Sequence, residues 1–291
     1  MSVSRVTSRT MSNVAMRGLQ SSLARTQDLQ NQLSSGRRVN RPGDDPAAAA
    51  ASMKLRSART ANQQYQRNVE DSTGRLNVAD SALTQISERV LRAQELVLSA
   101  NNGALGPESR SAIAQELNSI REEVIGLYNT RWLDRPVFGG TAAGSVALLP
   151  DGTYVGDDEP VLSRINADTV LRVDVSGIAA GADTLPDVIA AAADNVVNDP
   201  SNIGSSIEAL AGSLNKVLEA LGDVGARAGR LDTAKARLQS DELDFTSRIS
   251  ENEEADLPLT IMNLEAQKVG YQAALATAAN ILQTSLVDYL K

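Results

Sequence analysis

The 291-residue chain contains neither cysteine nor histidine. The first absence excludes a disulfide framework, a thiol nucleophile and a thiolate metal site, and the second removes the commonest general base and the commonest metal ligand. Aromatic residues make up only 3% of the chain, and alanine is abundant, which suits slender helical packing better than a bulky globular core. No run of about 18 apolar residues is present to span a bilayer. Met1 to Thr10 offer Ser, Thr, Arg and Val without an apolar stretch, so no conventional secretory signal peptide is expected. Chemistry is equally sparse. No glycine-rich phosphate loop follows a strand, no nucleophile has a neighbouring base, and the acids at 251–256 are neighbours on a charged helix end. Asp44 with Asp45, and Asp157-Asp158-Glu159, lack the ligand periodicity of a calcium loop. The composition therefore predicts a protein with no enzymatic activity, no cofactor and no metal.

What is present is charge asymmetry and helical periodicity. Residues 1–67 carry 11 Lys/Arg against 3 acids, a net +8, which leaves −16 for the remainder of a chain whose total is −8. A basic arm can serve nucleic acid or an anionic membrane. These arginines, however, lie between apolar positions of a helix without interleaved aromatics, so a solvated helix face is the expected reading, with no nucleic-acid partner and no membrane insertion.

Met16, Leu19, Leu23 and Leu33 near the start, and Ile261, Leu264, Tyr271, Leu275, Ala278, Leu282 and Tyr289 near the finish, follow coiled-coil spacing. Seams so close to the chain ends have no later element to cover them, so they are expected to meet each other or another subunit. A first helix is predicted from about Ser12 to Ser34, closing at Gly36, followed by a non-helical connector to Pro46. Asp45 and Pro46 form a strong helix start. From Leu55 to Ala100 an apolar seam holds for six heptads, broken only by Asn62 and Ser72, and reads as one long helix ending at Asn101-Asn102-Gly103. A second helix opens at Pro107 and is expected to reach about Trp132. Glycine turns and β-branched runs then suggest a small antiparallel sheet from 146–149, 153–155 and 171–175, in a solvent-facing segment with eleven acids against three arginines over 134–200. Helix returns over 185–198 and again from Ile203 to Ile249, with Lys235 and Glu242 on the seam and Gly222, Gly225 and Gly229 in its middle. The acidic run Glu251 to Asp256, with Pro258, predicts a bend before the last helix.

The predicted fold is mainly α: a long antiparallel coiled-coil helical rod with paired terminal helices and a small β-containing central insertion. Its expected divisions are an assembly helix at 1–40 paired with one at 257–291, rod helices at 41–136 and 201–256, and an outward-facing insertion at 137–200. Against a membrane-inserting effector stands the narrowness of the terminal seams, rich in Ala, Ser and Gln.

The stretch Leu33-Ser34-Ser35-Gly36-Arg37-Arg38-Val39-Asn40-Arg41-Pro42-Gly43-Asp44-Asp45-Pro46 resembles the signature of the bacterial flagellin superfamily, and Gly225-Ala226-Arg227 with Arg230-Leu231-Asp232 resembles its C-terminal counterpart. Ala228-Gly229 and Pro258 depart from the family pattern. The Arg-Pro-Gly-Asp-Asp-Pro form and the ending Ser285-Leu286-Val287-Asp288-Tyr289-Leu290 are more similar to the hook-filament junction branch than to filament subunits. The resemblance implies that Ser34, Ser35, Gly36, Asn40, Pro42, Asp44, Asp45 and Pro46 are motif residues and that the terminal seams drive assembly. It further implies partners among other copies in a ring, hook-side and filament-side flagellar proteins and an export chaperone. The expected location is the extracellular flagellum, reached without a cleaved signal peptide.

Overall fold

The computed structural model describes the backbone of residues 2–101 and 105–289, and side chains at 10, 13–101 and 105–279. Along the chain run α1 (Ser2–Ser35), α2 (Pro46–Ala100), α3 (Pro107–Tyr128), β1 (Arg131–Trp132), β2 (Arg135–Pro136), β3 (Leu162–Arg164), β4 (Val170–Arg172), α4 (Leu185–Asn198), α5 (Ile203–Glu253) and α6 (Leu257–Tyr289). The protein is mainly α, with two small antiparallel sheets. It divides into two compact units, one of residues 1–60 with 242–291 and the other of 61–241. The first unit thus joins the terminal helices to 41–60 and 242–256.

The second unit holds nearly all of the buried apolar side chains. Every third or fourth residue of α2 from Val69 to Ala100 is buried, as are Leu117, Ile120 and Val124 of α3 and Ile203, Leu210, Val217, Val224 and Leu231 of α5, which is what the seam spacing demands. α2 and α3 run antiparallel, held on their outer side by Arg89 to Glu123 at 2.9 Å and Arg92 to Glu116 at 2.8 Å. The polar interruptions are satisfied. Asn62 Nδ2 donates to the Leu238 carbonyl of α5 at 2.9 Å, joined by Gln66 Nε2 at 3.2 Å. Ser72 Oγ turns back to Asn68 O at 2.6 Å.

Three expectations change. α3 ends at Tyr128, not near Trp132, because Asn129 leaves the helix: its Oδ1 accepts the Ala147 and Leu148 amides, and its Nδ2 donates to Leu148 O. Trp132 enters the β1–β2 hairpin instead, with Trp132 paired to Arg135. In the insertion the stretches 146–149 and 153–155 meet only through a single Leu148–Tyr154 bridge. The ladder is Leu162–Arg164 against Val170–Arg172, with Val173 and Val175 turned into the core. Thirdly, α1 begins at Ser2, and Glu251 and Glu253 are the last turn of α5, so the break is only 254–256. Asp256 restarts the chain as α6, its carboxylate accepting the Leu259 amide at 3.0 Å. Pro258 falls in the first turn of α6, where its missing N–H leaves no helical bond unmade.

Candidate functional site: the terminal helix pair and its motif loop

In the first unit, α1 and α6 pack against each other. Side chains partly buried on α1 recur at Ala15, Leu19, Ser22, Thr26, Leu29 and Leu33, and side chains buried or partly buried on α6 recur at Thr260, Leu264, Gln267, Tyr271, Ala274 and Ala278. Both sets follow 3/4 spacing. Gln267 Nε2 donates to Ser22 Oγ at 2.7 Å across the pair. An open groove of about 450 Å³ lies beside that bond, lined by Arg25, Asp28, Leu29, Asn263, Ala266 and Gln267. With Gln267 meeting Ser22 and Ala255, just before α6, meeting Gly36, just after α1, the two helices run antiparallel.

Among the residues expected on the seam, Leu264 and Ala278 are buried, and Leu19, Leu33 and Tyr271 are half-buried. Met16, Leu23, Ile261 and Leu275 each sit one position along from a seam residue and are exposed in the single chain. The side chains of Leu282 and Tyr289 lie outside the described residues. The seam positions that sequence reasoning missed are mostly small or polar, Ser22, Thr26, Thr260 and Gln267. Only the unbroken heptad register through them could have revealed them.

α6 also carries apolar side chains away from α1. Leu259, Met262 and Val269 lie about half a turn round the helix from Leu264, and all three are exposed, Met262 and Val269 at 64% each. The terminal seam is therefore one of two stripes. Composition held the signal, since Leu257 to Val269 is apolar at seven of thirteen positions, not counting Pro258.

The motif loop ties this pair to the start of α2 and the end of α5. Gly36 takes a left-handed φ of 70°, which glycine adopts without steric penalty. Its carbonyl accepts the Ala255 amide at 3.0 Å, while the Arg38 amide donates to Glu253 O at 2.7 Å. Ser35 Oγ donates back to Asn31 O, Asn40 Nδ2 donates to Arg37 O at 3.1 Å, and Ser34 is exposed. Pro42 sits in the turn closed by the Asp44 amide donating to Arg41 O at 3.0 Å. Asp44 Oδ2 accepts the Asn40 and Arg41 amides at 3.0 and 2.8 Å. Asp45 caps α2 by accepting the Ala48 amide at 3.0 Å. That bond, and the Arg38 guanidinium beside it, lower its carboxyl below the ordinary aspartate value. Pro46 then opens the helix.

Sequence reasoning missed the centre of this knot. Glu253 is 9% exposed. It receives Arg56 Nε at 3.1 Å and Nη2 at 2.6 Å, with Arg37 further off at 3.9 Å. The hydrogen bonds from Arg56 outweigh burial and hold its carboxyl below the ordinary glutamate value. Among the described residues no group of three or more metal-ligating side chains gathers, and no helix is long and apolar enough to cross a membrane.

Residues 6–132 match the family of the bacterial flagellin N-terminal helical region. Flagellar hook-associated protein 3 of Escherichia coli (strain K12) is 25% identical over 305 residues, covering 95% of this chain and 96% of that protein. The flagellin of Halalkalibacterium halodurans is 24% identical and covers 92% of each chain. In fold, the chain is similar to the crystal structure of Bacillus cereus FlgL with a TM-score of 0.61 at 22% identity, over 68% of this chain and 99% of that one.

Proposed function

We propose that the chain, whose residues 6–132 match the bacterial flagellin N-terminal helical region, is a structural protein of the bacterial flagellum, an adaptor that joins hook to filament by self-association through its terminal helices. It is not an enzyme. The observation that carries the reading is the second apolar stripe of α6. Leu259, Met262 and Val269 face away from α1 and stay exposed in one chain, and a contiguous exposed apolar stripe is the kind of surface that a partner covers. Neighbouring copies would provide that cover. An unfolded passage through the flagellar export channel, assisted by a chaperone, and a ring of copies with one flagellar partner on each side complete the proposal.

The test is deletion of the gene followed by electron microscopy. A junction role predicts complete hooks, no attached filament and flagellin released as monomers. Normal junctions with the filament itself missing would instead make the chain a filament subunit.

A further inference from the structure

One arginine of the second unit is buried without the partners that a buried charge requires. Arg75 on α2 is 7% exposed. Its Nε has no hydrogen-bond partner among the described residues, and its Nη2 reaches the Pro136 carbonyl at a long 3.5 Å. Burial pushes its guanidinium below the ordinary arginine value, against the opposing charges of Asp174 and Asp71. Both carboxylates are engaged elsewhere. Asp174 accepts Arg172 Nε and Nη2 at 3.0 Å each and the Val161 amide at 2.9 Å. Asp71 accepts the Trp132 indole N–H at 3.0 Å, although it stands four residues before Arg75 on α2, the spacing and order in which a helical Asp–Arg ion pair is favourable.

The contact that Arg75 does make is with the β1–β2 hairpin, and that hairpin is itself weakly founded. It has two residue pairs, Arg131 with Pro136 and Trp132 with Arg135, extended by the Val137 amide donating to Thr130 O at 3.0 Å. So short a two-stranded ribbon has little stability of its own. Its turn takes positive φ, 46° at Leu133 and 64° at Asp134; aspartate tolerates that region, whereas leucine is strained in it. The leucine is 73% exposed, so no burial offsets the strain. The anchor is Trp132, whose indole lies so close over Gly74 that a β-carbon there would stand 2.5 Å from it. Trp132 and Arg75 thus compete for one carboxylate. We propose that the β1–β2 hairpin is a strap with two positions: closed, with Trp132 on Gly74 and bonded to Asp71, and lifted, with Asp71 passed to Arg75. Lifting gives up the indole contact and its hydrogen bond. In return it hydrates Arg75, completes the ion pair four residues apart and relaxes Leu133, so the two states lie close in free energy. The lifted state uncovers the face of α2 at 71–75. The exchange lies within the second unit and does not depend on what the chain joins.

Trp132 is the one tryptophan of the chain, so the purified full-length protein reports on the strap directly, through acrylamide quenching of the indole and amide exchange at Val137. In the wild type, Val137 is expected to exchange faster than Leu83 in the buried stretch of α2, because lifting requires no global unfolding. Asp71→Asn is the decisive variant. It keeps an acceptor for the indole but removes the ion pair that stabilises the lifted state, so quenching is expected to fall and Val137 exchange to slow several-fold. A merely structural partner would move the other way, since the indole would trade a carboxylate for a weaker neutral acceptor. Arg75→Met, which removes the buried charge and keeps much of the bulk, is expected to act in the same direction as Asp71→Asn; should it not fold, Asp71→Asn decides alone. Val137 exchanging as slowly as Leu83 in the wild type, or quenching and Val137 exchange that are unchanged or increased in either folded variant, overturns the proposal.

Discussion

Glu253 shows how much a single carboxylate can organise when the chain crosses itself. Its side chain takes both Arg56 donors and its carbonyl takes the Arg38 amide, so one residue links α2, the motif loop and the end of α5. Glu253→Gln keeps the shape and removes the charge. With the Arg56 side chain 51% exposed and therefore screened, the expected loss is about 1–2 kcal/mol. It should appear as faster amide exchange at Arg38 and Ala255 relative to wild type, with exchange in 61–241 unchanged. The pH dependence follows from the lowered carboxyl. Its stabilisation is complete above the ordinary glutamate pKa of about 4.3 and is lost as pH falls through the lower folded value, so wild type should approach the variant's exchange rates only in acid. Equal protection in the two proteins at neutral pH would remove Glu253 from this role.

At the level of elements, helices were legible wherever the apolar period held for several heptads. α2 ends at Ala100 and α4 spans Leu185–Asn198, both as the spacing predicts. Gly222, Gly225 and Gly229 left the middle of α5 weakly specified, yet the helix is continuous, because Leu221, Val224 and Leu231 pack into the core on its other side. A β-carbon at Gly225 would meet nothing within 4 Å. Gly225→Ala should therefore stabilise the protein by about 0.5–1 kcal/mol through helix propensity alone, read as a higher denaturation midpoint at constant slope; a lower midpoint would mean that the backbone there is needed in another conformation. Elements fixed by long-range contacts were not legible. The β1–β2 hairpin turns at Leu133-Asp134, where the leucine does not suit a positive φ, and is held by Trp132 lying over Gly74, 58 residues earlier in the sequence. The terminal site was half legible: the motif loop stood out by its residues, while Ser22, Gln267 and Glu253 are ordinary surface residue types until the fold brings their partners to them.

On the scale of the whole molecule, apolar burial is divided unequally. Among the described residues, the buried apolar side chains of the first unit are Ala48, Leu264 and Ala278; the others lie within 61–241. At about 25 cal/mol per Å², the two on the terminal pair, Leu264 and Ala278, contribute little of the apolar burial, while Leu259, Met262 and Val269 of α6 stay exposed. Charge is divided as well: the first unit has 13 Lys/Arg against 11 acids, net +2, and the second 15 against 25, net −10. On the proposed reading, neighbouring copies would cover the first unit while the second carries most of the described core. The most direct measurement is a count of attached filaments by electron microscopy in a strain whose only copy carries Met262→Asp/Val269→Asp. Both residues are mostly exposed in the single chain, so the melting temperature of the purified protein should stay within about 1–2 °C of wild type, whereas unpaired carboxylates in a covered stripe would cost several kcal/mol. The account predicts bare hooks, with the folded variant and flagellin both in the medium. Filaments attached at wild-type number would contradict it.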